Sequence, residues 1–189
     1  MIGKYISLGL VLAATLLGAS VARAQDMGFS ELRGGIMAHS VDDSSGTTTF
    51  GFLNLTRVQD ANVELLFKPF DGLGWLGSPR PTVGATVNFG GLESQVYAGL
   101  TWHAQVFNTP FFVEGMFGAA ATNGQFHNAV YPARSLGCPI LFHEAASVGY
   151  DLTENADIML TLEHASHAGL CGSDNRGLTD LGVRVGFKF

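Results

Sequence analysis

The chain has 189 residues, of which 47% are hydrophobic and only 14% charged, and 25 are glycine. Ten Lys and Arg against 16 Asp and Glu give a net charge of −6, which argues against nucleic acid as a partner, because phosphates are held by clustered basic side chains. Beyond the N-terminus no stretch approaches the ~20 uninterrupted apolar residues of a spanning helix, yet the chain is too apolar for an ordinary secreted domain. Strands of about 9–11 residues, alternating between lipid and lumen, reconcile the two.

Residues 1–24 read as a signal peptide: Lys4 supplies the positive start, "ISLGLVLAATLLGASV" the apolar run, and Ala22-Arg23-Ala24 the cleavage site. Cleavage before Gln25 leaves 25–189 as a single barrel domain. Losing Lys4 and Arg23 takes the ten basic residues to eight, so the mature charge is −8.

Alternation predicts strands at 29–39, 61–69, 80–89, 94–104, 111–121, 138–150, 157–168 and 178–189. In the third, Val83, Ala85, Val87 and Phe89 oppose Thr82, Gly84, Thr86 and Asn88. In the last, Leu181, Val183, Val185, Phe187 and Phe189 oppose Asp180, Gly182, Arg184, Gly186 and Lys188. A soluble sandwich alternates too, but here the polar face carries glycine, threonine and isolated charges, as a narrow packed lumen does. Glu114, Glu163, Arg184 and Lys188 read as a paired network filling that lumen, and Trp75 and Trp102 as interfacial aromatics. The expectation is therefore all-β: an eight-stranded antiparallel transmembrane β-barrel.

The connections support it. Long polar segments follow strands one, five and seven, while "FNTP" and "LTENA" after strands four and six are short. Long loops outside and short turns inside are the outer-membrane pattern. "TFGFLNLTR" at 49–57 fits least well and reads as an extension of the first hairpin. The terminal Phe189, ending an alternating strand, resembles the signature by which such barrels are recognised by the assembly machinery.

Cys138 and Cys171 flank the sixth and seventh strands, and a turn centred near 154–155 brings both to one outer end. In an oxidising compartment that predicts a disulfide.

In the seventh strand Ile158, Leu160, Leu162, His164 and Ser166 share one face, and Met159, Thr161, Glu163, Ala165 and His167 the other. The first three of the former set form a lipid-facing stripe, so His164 and Ser166 continue it at the outer rim. A neutral imidazole two residues from a serine can take the hydroxyl proton. On spacing alone, H-x-S reads more readily as two polar rim residues, since the pair occurs often by chance. One register of the hairpin places Glu144 opposite His164, where it could orient the ring; a one-residue slip places His143 opposite Ser166 instead. His143, Glu144, His164 and His167 do not read as a metal centre, because alternation separates His164 from His167 and zinc ligands must converge.

Several stretches, "ELRGGIMAHSV", "PRPTVGATVN", "SQVYAGLTW", "FFVEGMFGAA", "LFHEAASVGY" and above all "LEHASHAGL…NRGLTDLGVRVGFKF", resemble the lipid A 3-O-deacylase (PagL-type, acyloxyacyl hydrolase-like) outer-membrane family. The resemblance implies an eight-stranded barrel that cleaves the 3-linked acyl ester of lipid A in lipopolysaccharide, with His164 as base, Ser166 as nucleophile, and no metal or other cofactor. The family's H-x-S-N asparagine, a candidate oxyanion contributor, is His167 here, and its third catalytic glutamate falls on Thr179. Thr179 has the right face and a different chemistry, whereas Asp180 points to the lumen. The rival reading is a non-catalytic small barrel of the OmpA/OmpX kind, structural or adhesive, with a decayed site. A homodimer is compatible with either.

Overall fold

The computed structural model describes residues 28–43 and 53–189; the signal peptide read at 1–24 and part of the 49–57 segment lie outside them. Eight strands run in chain order: β1 (Phe29–Ala38), β2 (Val58–Phe67), β3 (Arg80–Asn88), β4 (Gln95–Gln105), β5 (Phe111–Thr122), β6 (Ile140–Asp151), β7 (Ala156–Ser166) and β8 (Leu178–Lys188). Each pairs antiparallel with its neighbours, and β1 pairs β8, so the sheet closes into a barrel with no free edge. A 3-10 helix, Asp71–Leu76, lies in the β2–β3 connection.

The alternation that predicts the strands also sorts their side chains. Along β7, Ile158, Leu160 and Leu162 are exposed to the lipid side, while Met159, Thr161 and Glu163 are at most 1% exposed. Eight strands leave a lumen just wide enough to be filled by side chains, and here the filling is ionic. Arg33 reaches Glu31 at 2.6 Å, Glu64 at 3.1 Å and Glu114 at 2.7 Å; Arg80 bridges Glu31 at 2.6 Å and Glu114 at 2.7 Å. Arg184 binds Glu163 at 2.6 Å, and Lys188 binds Asp151 at 2.5 Å. The expected network of Glu114, Glu163, Arg184 and Lys188 is present, and Arg33, Arg80, Glu31 and Glu64 extend it.

Boundaries differ where polar residues misled the pattern. β2 begins at Val58, three residues before the predicted start, because Asp60, Asn62 and Glu64 are buried lumen lining and not loop. β6 begins at Ile140 and not at 138, after Gly137 at φ 72 and Pro139, which has no N–H to donate. β7 stops at Ser166 and not at 168, as Ala168 turns to φ 51. Of the awkward 49–57 segment, residues 53–57 form no strand, yet they extend the first hairpin through His39 N–H to Arg57 O (2.9 Å) and Asn54 N–H to Val41 O (2.8 Å). At the opposite end Trp102 donates its indole N–H to Leu76 O (2.8 Å), and Trp75 projects outward, largely exposed, from the 3-10 helix. Both sit where interfacial aromatics belong.

Candidate active site

β7 delivers His164 and Ser166 to its outward face, both half-buried at the outer rim. They are two residues apart on one face, about 7 Å at Cα. The β6–β7 ladder is continuous and pairs Glu144 with His164 and Phe142 with Ser166. The β7–β8 ladder pairs His164 with Thr179. Glu144, His164 and Thr179 therefore form one cross-strand row, whose opposing Cβ atoms lie about 5 Å apart. Of the two registers open from sequence, this is the one that places Glu144 opposite His164, and not the one that places His143 opposite Ser166. His143 points into the lumen, fully buried and stacked on Tyr97 at 4.1 Å.

His164 is held from the Thr179 side: its Nδ1 lies 2.8 Å from Thr179 Oγ1. Because the imidazole must protonate one nitrogen, donation from Nδ1–H to this hydroxyl leaves the Nε2 lone pair for a proton from serine. Ser166 Oγ and His164 form no hydrogen bond in this conformation, a common state of unliganded sites whose contacts tighten with substrate. Gly177, at φ 63, closes the other side of the ring; a Cβ there would stand 2.7 Å from His164 Cε1 and 3.3 Å from Nε2. A side chain at 177 would be strained by its backbone and would displace the base.

The loop above the site is fixed by unusually many tethers for eleven residues. Cys138 and Cys171 are joined, their Cα atoms 6.0 Å apart. His167, 2% exposed, faces inward: its Nε2 lies 2.7 Å from Asp174 O and its Nδ1 3.2 Å from Cys171 N. Since a carbonyl only accepts and a backbone N–H only donates, these partners fix one tautomer and occupy both ring nitrogens. The ring thus knits the loop, and has no free N–H for an oxyanion. Arg134, from the β5–β6 loop, donates to Arg176 O (3.0 Å) and Gly177 O (3.1 Å), and pairs with Asp42 (2.7 Å). Neither Arg134 nor Gly177 stood out in the sequence; the only signal was a glycine just ahead of the final strand. Against Phe142, the cross-strand partner of Ser166, opens an apolar cavity of about 190 Å³, lined also by Ala119, Ile140, His167, Leu170 and Cys171 among others.

The family model described as lipid A 3-O-deacylase (PagL) matches residues 60–188. The chain belongs to that family. The solved PagL outer-membrane enzyme has the same fold, with a TM-score of 0.59 at 15% identity, covering 84% of this chain and 99% of that one. The N-terminal barrel of Pseudomonas aeruginosa OprF gives 0.53 at 12% identity, covering 86% and 98%, and the Neisserial surface protein A gives 0.50 at 10%, covering 85% and 96%. No curated protein matches the chain significantly. The likeness to these two barrels shows the fold alone, whereas the PagL family match spans β3–β8 and most of β2, including every residue of the row and its serine. As a PagL-family protein the chain is an outer-membrane β-barrel of Gram-negative type.

Proposed function

We propose that this barrel hydrolyses the 3-O-linked acyl ester of lipid A, with Ser166 as nucleophile, His164 as general base and Thr179 as the group that orients the base. The observation that carries this reading is the 2.8 Å bond from His164 to Thr179 on a lipid-facing surface, next to an apolar cavity. A substrate that is itself a membrane lipid reaches such a site laterally, with its acyl chain against Phe142 and Leu170. Ser166 Oγ attacks the ester carbonyl while Nε2 of His164 takes its proton. Collapse of the tetrahedral intermediate breaks the C–O bond to the sugar, and the imidazolium returns the proton to the departing 3-hydroxyl. Water, activated by the same imidazole, then releases the fatty acid and restores the serine. Glu144, the cross-strand partner of His164 on β6, stands on the opposite side of the imidazole from Thr179 and serves as a second group that positions the ring.

The chemistry asks for no metal or other cofactor. The aromatic Phe189 is read as the mark by which the assembly machinery accepts the barrel. The deciding experiment is mass spectrometry of lipid A from cells expressing wild type or Ser166→Ala. Loss of one 3-O-acyl chain with wild type alone is the expected result; an unchanged profile from a correctly inserted wild type refutes the reading.

A further inference from the structure

Thr179 faces lipid, but its chain neighbour Asp180 faces the lumen, directly behind the site, and joins a cluster the esterase chemistry does not use. His39, the first residue after β1, is fully buried. Its Nδ1 lies 2.9 Å from Asp60 Oδ2 and 3.7 Å from Asp180 Oδ1, and its Nε2 3.1 Å from Glu93 Oε2. One potential ligand atom from each of His39, Asp60 and Asp180 lies within 4.8 Å of the others, a grouping met nowhere else among the described residues.

A neutral imidazole has one N–H and one lone pair. If Glu93 takes the N–H at Nε2, the lone pair of Nδ1 points at a carboxylate 2.9 Å away. Two acceptors at that distance require a positive species between them, either a proton or a metal ion. A proton on His39 offsets only one of three carboxylates. Asp180 is 0% exposed, and its Oδ2 has no hydrogen-bond partner; Ser40 Oγ, equally buried, has none either.

Each prospective ligand is also held from behind, as metal ligands require. Glu93 fixes the His39 ring, Asn88 Nδ2 donates to Asp60 Oδ1 at 2.5 Å, and Ser40 N–H donates to Asp180 Oδ1 at 2.8 Å. The separations of 2.9 and 3.7 Å bracket the edge of a tetrahedron with zinc–ligand bonds, roughly 3.3–3.6 Å. We propose that His39 Nδ1 and one oxygen each of Asp60 and Asp180 bind a single divalent cation of the zinc class inside the outer mouth of the barrel. An imidazole with two carboxylates suits that class. The ion ties β1, β2 and β8 together, and its seat is linked to the site by Val41 N–H to Thr179 O at 2.8 Å.

The test uses untagged protein extracted from outer membranes in mild detergent. Zinc is measured by mass spectrometry, and EDTA-treated protein is then titrated with Zn²⁺ by calorimetry. Wild type should carry or take up about one Zn²⁺ per chain. Asp180→Asn and His39→Gln should hold less than a tenth of that while keeping the heat-modifiable gel mobility of a folded barrel. Asp174→Asn, a carboxylate loss elsewhere, should leave zinc unchanged. If Asp180→Asn does not fold, Asp60→Asn bears the same expectation. A folded wild type that neither carries zinc nor takes it up overturns the proposal, as does equal zinc in wild type and the ligand variants.

Discussion

At the Nδ1 edge of His164 the fold places a hydroxyl, that of Thr179. A hydroxyl can accept the proton of Nδ1 and so fix the ring, but it cannot offset the charge of an imidazolium. Glu144 is the cross-strand partner of His164 on the other side of the row, and is the carboxylate proposed to take that part. Thr179→Val, which keeps shape and removes the acceptor, should lower kcat for lipid A deacylation about tenfold, with KM and barrel mobility little changed. Thr179→Glu should raise kcat above wild type by returning the charge to Nδ1. Glu144→Gln should cost several-fold in kcat; unchanged turnover with normal folding would remove Glu144 from the mechanism. Alternation was enough to place His164 and Ser166 on one face, since it needs only the order of residues within a strand. The His164–Thr179 bond depends instead on how β7 meets β8, and residues spaced by a variable loop do not reveal that pairing. His167, expected near the oxyanion, binds its own loop because the chain turns inward just after Ser166.

Among the elements, the β7–β8 loop decides how rigidly the base is framed. Its disulfide, the His167 ring and the Arg134 guanidinium each hold a different part of it. Cys138 and Cys171 were legible as partners because a hairpin reflects positions about its turn. Arg134 was not, since its partners are backbone carbonyls that carry no side-chain signature. Replacing both cysteines by alanine should destabilise the barrel by about 2–4 kcal/mol, read from urea unfolding in detergent. Activity should fall further than global stability accounts for, because Gly177 and the cavity wall at Leu170 both ride on this loop.

For the whole molecule, charge is concentrated in the lumen, while the lipid-facing stripe of Ile158, Leu160 and Leu162 is apolar. Arg33, 2% exposed, serves Glu31, Glu64 and Glu114 together. Arg33→Met leaves three buried carboxylates with fewer cations, and should cost about 3–5 kcal/mol in unfolding free energy. On the opposite face Leu160→Arg should cost about 2–4 kcal/mol in a bilayer and much less in detergent. Opposite signs of polarity on alternating residues made the closed barrel readable from sequence. Which acid meets which base was not, because lumen partners come from strands far apart in the chain. The proposed catalytic row also lies against the seam: His164 and Thr179 stand on the last two strands, and the Thr179 carbonyl is bound by Val41, just past the first. The site is therefore finished only when the first strand meets the last. On the proposed reading, a chain still crossing the periplasm carries no complete catalytic row, and its capacity to cut lipid arrives together with the membrane that holds it.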